Sequence, residues 1–206
     1  MTTNGFPALE TDRLRLRELV AADAPALFAI HSDPLVMRWF GSDPLTDLAG
    51  AQRLVELFAG WRQQANPGAR WGITLKTDGT LIGTCGLFMW NRTWRKCVLG
   101  YELATPAWGQ GFMREALNRI IDWGFEHMEL NRIEAQVHPL NAASLKTLSG
   151  LDFVEEGRLR EVGYWGGAHH DMLQLSLLRR ERRRRSEIDG SLGIGLRASL
   201  RTEAIG

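Results

Sequence analysis

The 206-residue sequence predicts a mixed, mainly antiparallel α/β sheet of about seven strands with helices on both faces. Three observations predict it. Short strand-like runs and helical spacings follow one another in the order β-αα-βββ-α-β-α-ββ. One stretch, VLGYELATPAWGQGFMREAL at 98–117, runs from strand through a kink and a glycine turn into a helix, and gives the rest of the chain something to pack around. Hydrophobic residues make up 44% of the chain and include eight Trp, enough for the core of one domain.

The elements follow in order. DRLRLREL at 12–19 alternates charge with leucine, a half-exposed strand with Leu14 and Leu16 inward. Asp23 is read as the cap of a helix from Ala24, with Pro25 in its first turn. Asp33-Pro34 repeats that signal for a short helix reaching Arg38. Thr46 or Asp47 caps a longer helix with Leu48, Ala51, Leu54, Val55, Phe58 and Trp61 along one side, and Asn66-Pro67-Gly68 stops it. Strands at 71–75 and 81–88 are joined by Thr77-Asp78-Gly79. Asn91-Arg92-Thr93 leads to the strand at 98–104, and Thr105-Pro106 kinks out of it. The helix from Phe112 carries Met113, Ala116, Leu117, Ile120, Ile121 and Gly124 on one face. A strand at 132–137, an Asn141-capped helix at 142–149 and a hairpin (153–163 and 171–178 around 164–169) complete the order.

The turn Trp108-Gly109-Gln110-Gly111 points backbone N–H groups into a concavity at a helix N-terminus, an anion site of phosphate or pyrophosphate size. Gly-x-Gly alone says little, and neither G-x-G-x-x-G nor the phosphate loop G-x-x-x-x-G-K-[ST] is present. The longer string GYELATPAWGQGFMREAL resembles the cofactor motif of the GCN5-related N-acetyltransferases, above all the RimJ/RimL-like branch that acetylates ribosomal-protein N-termini. Trp108 and Met113 depart from that motif, which leaves open which side chains help the backbone. The resemblance covers residues 8–180. It implies the GNAT fold and acetyl transfer from acetyl-CoA to an amine.

The resemblance also implies a set of site residues. Acetyl-CoA is expected on Leu103, Ala104, Thr105, Trp108, Gly109, Gln110, Gly111, Phe112, Met113, Arg114, Asn141 and Ser144. A backbone N–H near Leu103 or Ala104 faces the thioester oxygen as it gains charge. Asn141-Ala142-Ala143-Ser144 resembles the branch's N-x-x-S, which places Ser144 beside the sulfur. Other acetyltransferases use a tyrosine one turn later, where this chain has Leu148. Asn141 as a plain cap and Ser144 as a partner of the backbone are the alternatives.

Glu102, reaching the amine through water, is the expected base, with Glu161 second. An ordinary surface or paired carboxylate is the alternative for each. His138 is placed where it can line the site, and His31 is expected to have no role. Trp39, Phe40, Trp90, Trp94, Tyr164 and Trp165 lie near loops that border the acceptor cleft in the family; core or homodimer contacts are the other readings. The acceptor is expected to be an α-amine, as on a ribosomal protein. A small amine substrate and a non-catalytic acyl-CoA-binding protein are the competing readings.

Several classes are excluded or disfavoured. No apolar run of about 18 residues exists, so no membrane span is expected. The first residues lack a signal-peptide pattern, which points to a cytoplasmic enzyme. Cys85 and Cys97 are expected as buried or free thiols. No metal is expected, because adjacent His169 and His170 point to opposite faces of a strand. Residues 179–206 carry eight Arg against four acids. The segment 181–206 is read as a mobile, solvated tail with no direct nucleic-acid role, contact with a polyanion such as ribosomal RNA being the alternative.

Overall fold

The computed structural model describes residues 5–65 and 67–182. Strands β1 (Leu9–Glu10), β2 (Leu14–Glu18), β3 (Ala69–Leu75), β4 (Leu81–Asn91), β5 (Lys96–Leu103), β6 (Arg132–Val137), β7 (Val154–Trp165) and β8 (Ala168–Leu178) form one sheet in the order β1-β2-β3-β4-β5-β6-β8-β7. Its neighbours pair antiparallel except β5 and β6, which run parallel. The α-helices are α1 (Ala24–His31), α2 (Pro34–Met37), α3 (Leu48–Gly60), α4 (Phe112–His127) and α5 (Ala142–Ser149). The eighth strand is the two-residue β1, too short to show a period of two in the sequence.

Two apolar layers hold the sheet. Ala116, Leu117, Ile120 and Ile121 of α4 are fully buried in one cluster with Leu14, Leu16, Trp71, Leu87 and Ile133. Leu27 of α1 and Ala51, Val55 and Phe58 of α3 form the second cluster with Leu19 and Leu81. Strand alternation separates the two: Cys85 and Leu87 of β4 join the α4 cluster, while Thr84 turns toward Arg70, whose guanidinium lies 4.8 Å from the Phe58 ring. Each fully buried aliphatic side chain contributes about 1.5–3 kcal/mol over its exposed state, so the α4 stripe alone fixes that helix firmly.

Local signals set most boundaries, and tertiary contacts move a few. Asp33 and Asp47 cap α2 and α3 by accepting the Leu35 and Gly50 N–H groups. Asp23 does not cap α1: its carboxylate takes a two-pronged bond from Arg17 at 2.7 Å on each side and the Val20 N–H at 2.8 Å. An ion pair with a neighbouring strand outcompetes the cap. Leu48, expected on the buried side of α3, is exposed at the helix start. The last hairpin turns more tightly than expected, over Gly166 and Gly167 alone. Both have positive φ (59° and 74°), as a two-residue type I′ hairpin requires, so pairing continues to Trp165 and Ala168. Cys85 and Cys97 are buried free thiols.

The basic run begins inside the fold. Arg179 donates to the Leu130 carbonyl at 2.6 Å, and Arg182 pairs with Asp122 of α4 at 2.7 Å. The expected tail beyond residue 182 lies outside the described residues.

Candidate active site

The site begins where β5 and β6 part. They pair over only three positions, Lys96, Cys97 and Val98 against Arg132, Ile133 and Glu134. Beyond them β5 runs on to Leu103 and β6 to Val137 without pairing to each other. The Ala104 N–H is held by the Ile82 carbonyl at 2.8 Å, which takes it out of the expected oxyanion role. An antiparallel ladder turns successive N–H groups to opposite edges, so those of Leu103 and Tyr101 face away from β4, toward the gap.

The gap opens onto the glycine turn. Gly109 and Gly111 have φ of 73° and 80°, a left-handed conformation that costs an L side chain about 1–2 kcal/mol. Gly111 is the N-cap of α4 and offers no capping side chain, so the N–H groups of Phe112, Met113 and Arg114 start the helix without a partner four residues back. These donors and the positive end of a 16-residue helix suit an anion.

Side chains brace the turn from several directions. The Gln110 amide bonds the Pro106 carbonyl, Arg114 reaches the Gly150 carbonyl, and the Thr105 hydroxyl donates to Asp33. The Trp108 indole N–H donates to the Leu103 carbonyl at 2.7 Å and so leans over the gap mouth. Met113 packs partly buried on the core. Arg13, one of the charges that alternate with leucine along 12–19, donates to the Gln110 carbonyl at 3.0 Å and to Glu115 at 2.7 Å, over the ring of Phe112. Alternation alone could not show that the end of β2 reaches this turn.

Across the gap, the side chain of Asn141 caps α5 by accepting the Ser144 N–H at 3.1 Å. The Ser144 hydroxyl meets the Tyr101 phenol at 2.6 Å. Burial pushes the Tyr101 pKa up to about 12 against the opposing effect of that hydrogen bond. No local pattern marks Tyr101, because its partner lies 43 residues away.

Glu102, the expected base, is buried at 5% exposure. Arg70 and Thr84 donate to its two oxygens, and His31, expected to have no role, places Nε2 within 3.3 Å. Burial alone would raise the pKa of this carboxyl. The charge of Arg70 and the contacts with His31 and Thr84 outweigh burial and hold it below the usual carboxylate value. A carboxylate so held is a weak base.

The remaining candidates divide between the two ends of the sheet. At the open end, Trp39 stacks on His138 at 4.1 Å, Trp165 stacks on His170 at 3.8 Å, and the two pairs adjoin through His138. Trp165 also donates to the Arg38 carbonyl and Gly166 to Asp43, which latch the β7–β8 turn to the loop after α2. Phe40 lies edge-on to His31. Tyr164 is exposed beside His169. Trp90 and Trp94 sit at the β4–β5 turn, at the opposite end of β5 from the glycine turn, so they do not join the others.

His138 Nδ1 accepts the Leu140 N–H, so its neutral ring carries the proton on Nε2. Burial and the neighbouring His170 lower its pKa, with Asp171 opposing and Arg158 and Arg38 adding. Glu161, the second expected base, is exposed in an irregular stretch of β7 and donates its N–H to Asp171. Among the described residues no three His, Cys, Asp or Glu are grouped to hold a metal.

A divided parallel strand pair thus leads to a left-handed glycine turn and a helix N-terminus, a cleft that suits an elongated ligand with an anionic end. A model of the acetyltransferase (GNAT) domain matches residues 13–154, and the chain belongs to that family. It is 38% identical to the uncharacterized N-acetyltransferase p20 of Bacillus licheniformis, over 84% of this chain and 97% of that one. It is 25% identical to the spermidine N(1)-acetyltransferase of Vibrio cholerae, over 85% and 98% respectively. Its fold matches the crystal structure of RimL, a ribosomal L7/L12 alpha-N-protein acetyltransferase, at a TM-score of 0.75 and 17% identity, covering 83% of this chain and 93% of that one. The protein is an N-acetyltransferase with acetyl-CoA as its co-substrate.

Proposed function

We propose that this enzyme acetylates the N-terminal α-amine of a protein or peptide, with a ribosomal protein as the acceptor class to test first. The observation that carries this reading is the buried, ion-paired state of Glu102. An α-amine has a pKa of about 7.7–8.0 and is substantially neutral near neutral pH, whereas lysine at about 10.4 needs roughly 3.5 kcal/mol of help to lose its proton. A strong base would normally supply that help. Glu102 is poorly suited to do so, and the proton arrangement of His138 makes it a donor on Nε2. An acceptor that arrives neutral fits such a site.

In this reading acetyl-CoA supplies an activated acetyl carbon. The Leu103 N–H faces the oxygen on which charge builds, and Ser144 faces the sulfur. The glycine turn with the α4 N-terminus holds the phosphates, helped by Arg13 from behind. Trp39, His138, Trp165 and His170 line the acceptor side. Residues 8–180 form the catalytic domain, and a cytoplasmic setting goes with this acceptor.

A polyamine is the second reading, favoured by the relative named for spermidine. Against it, the acceptor side carries Arg38 and Arg158 near His138 as well as Asp171, a mixed field rather than the acidic one a polycation prefers.

Thiol release from acetyl-CoA, measured with ribosomal-protein N-terminal peptides, their N-blocked forms and spermidine, tests the choice. Blocking the peptide N-terminus is expected to remove activity. Efficient turnover of blocked, lysine-bearing peptides or of spermidine would defeat the α-amine reading.

A further inference from the structure

We propose that Tyr101 is a positioning residue for Ser144, fixing the serine hydroxyl so that its proton points at the departing sulfur. This rests on the reading that Ser144 lies beside that sulfur. The two oxygens are 2.6 Å apart across the gap between the diverging strands. Tyr101 stands on β5 three residues past its last paired position, Val98, and Ser144 is in the first turn of α5.

The direction of the hydrogen bond follows from chemistry. A phenol is a stronger donor than an alkyl alcohol, so the proton between them belongs to Tyr101, and Ser144 accepts it. A serine hydroxyl has one proton and two lone pairs. In a helix that proton commonly goes to the carbonyl four residues back. Thr147, one turn on, does this with the Ala143 carbonyl at 2.9 Å. Ser144 makes no such bond among those described; its oxygen meets Tyr101 instead. One lone pair is thereby occupied and the serine proton is left for a third group. The Tyr101 ring packs on the buried core, so the phenol is fixed in place.

The balance of the step is simple. The amine nitrogen bonds to the acetyl carbon, the carbon–sulfur bond breaks, and its electron pair stays on sulfur. The proton shed by the amine passes to water and is matched by the one that converts thiolate to free thiol. Tyr101 and Ser144 keep their protons. A phenol held near pKa 12 does not give up its proton to a thiolate whose conjugate acid is near 8.5, a transfer uphill by roughly three decades or more. The pair therefore acts by hydrogen bonding alone.

The test compares Tyr101→Phe, Ser144→Ala and the double variant, each as the full chain, with a peptide that the wild type acetylates. Ser144→Ala is expected to lower kcat by up to about 10²-fold, the upper range for one hydrogen bond to a group gaining charge. Tyr101→Phe is expected to lower kcat roughly 10-fold, the scale of one neutral hydrogen bond. Acetyl-CoA affinity by calorimetry should stay at the wild-type value in Tyr101→Phe, with the thermal midpoint lower by no more than the few degrees that one lost hydrogen bond costs; a merely structural role would lower the affinity as well. The double variant should be no worse than Ser144→Ala, because without the serine the phenol has nothing to position. Losses that multiply, or a Tyr101→Phe variant with unchanged kcat beside a slow Ser144→Ala, would overturn the proposal and spare the serine. A Ser144→Ala enzyme with wild-type kcat would remove the reading of Ser144 on which the proposal stands, and the proposal with it.

Discussion

Replacing Glu102 by glutamine should damage stability more specifically than chemistry. Donors from Arg70, Thr84 and His31 converge on the two carboxylate oxygens, in a space walled by Phe58 and Phe40. Glutamine removes the charge that compensates Arg70 and turns an NH2 toward one of those donors. Breaking a buried pair by removing one partner costs about 3–5 kcal/mol. Against a total stability of about 5–15 kcal/mol that is a large share. With a urea slope of ~3 kcal/mol/M, the midpoint should fall by roughly 1–1.7 M. The pH dependence has a definite sign. The Glu102 pKa is lowered in the folded state, so its stabilisation is present above the unfolded value of about 4.3 and lost as pH falls through the lower folded value. The gap between wild type and Glu102→Gln should therefore be full at pH 7 and narrow under acid. Folded Glu102→Gln should retain α-peptide turnover within about 10²-fold. An unshifted urea midpoint together with a far larger loss of turnover would refute the argument and return Glu102 to the role of base.

Three more outcomes are expected. Gly111→Asp should abolish acetyl-CoA binding in calorimetry, because it sets a side chain on a backbone at φ 80° and a carboxylate beside the phosphates; unchanged affinity in a folded variant would displace the cofactor site from this turn. Arg13→Ala should weaken acetyl-CoA binding by roughly 3–10-fold while the thermal midpoint hardly moves, since a half-exposed ion pair contributes about 0–1 kcal/mol; an unchanged Kd would show that the turn needs no brace from β2. Truncation after Arg185 should leave peptide turnover near wild type, and a large loss would show that the segment beyond it takes part in acceptor binding.

What the sequence determined by itself was the local frame of the site. Strand, kink, glycine turn and α4 read correctly because their signals act over a few residues: positive-φ glycines, an apolar stripe at helical spacing, and caps such as Asn141 on the Ser144 N–H three residues away. What only the tertiary structure decided was how side chains meet across the sheet. Glu102 looks like a free strand carboxylate until Arg70 and His31, 32 and 71 residues distant, close on it. Tyr101 finds Ser144 only because β5 and β6 part after three pairs and α5 returns over the gap. The six loop aromatics look alike in sequence, yet the fold sends Trp39 and Trp165 to one end of the sheet and Trp90 and Trp94 to the other. Backbone hydrogen bonds and apolar periodicity are local and leave a pattern in the chain. Strand order and register set which distant groups share a face, and with it the charge and proton state of every group in the site.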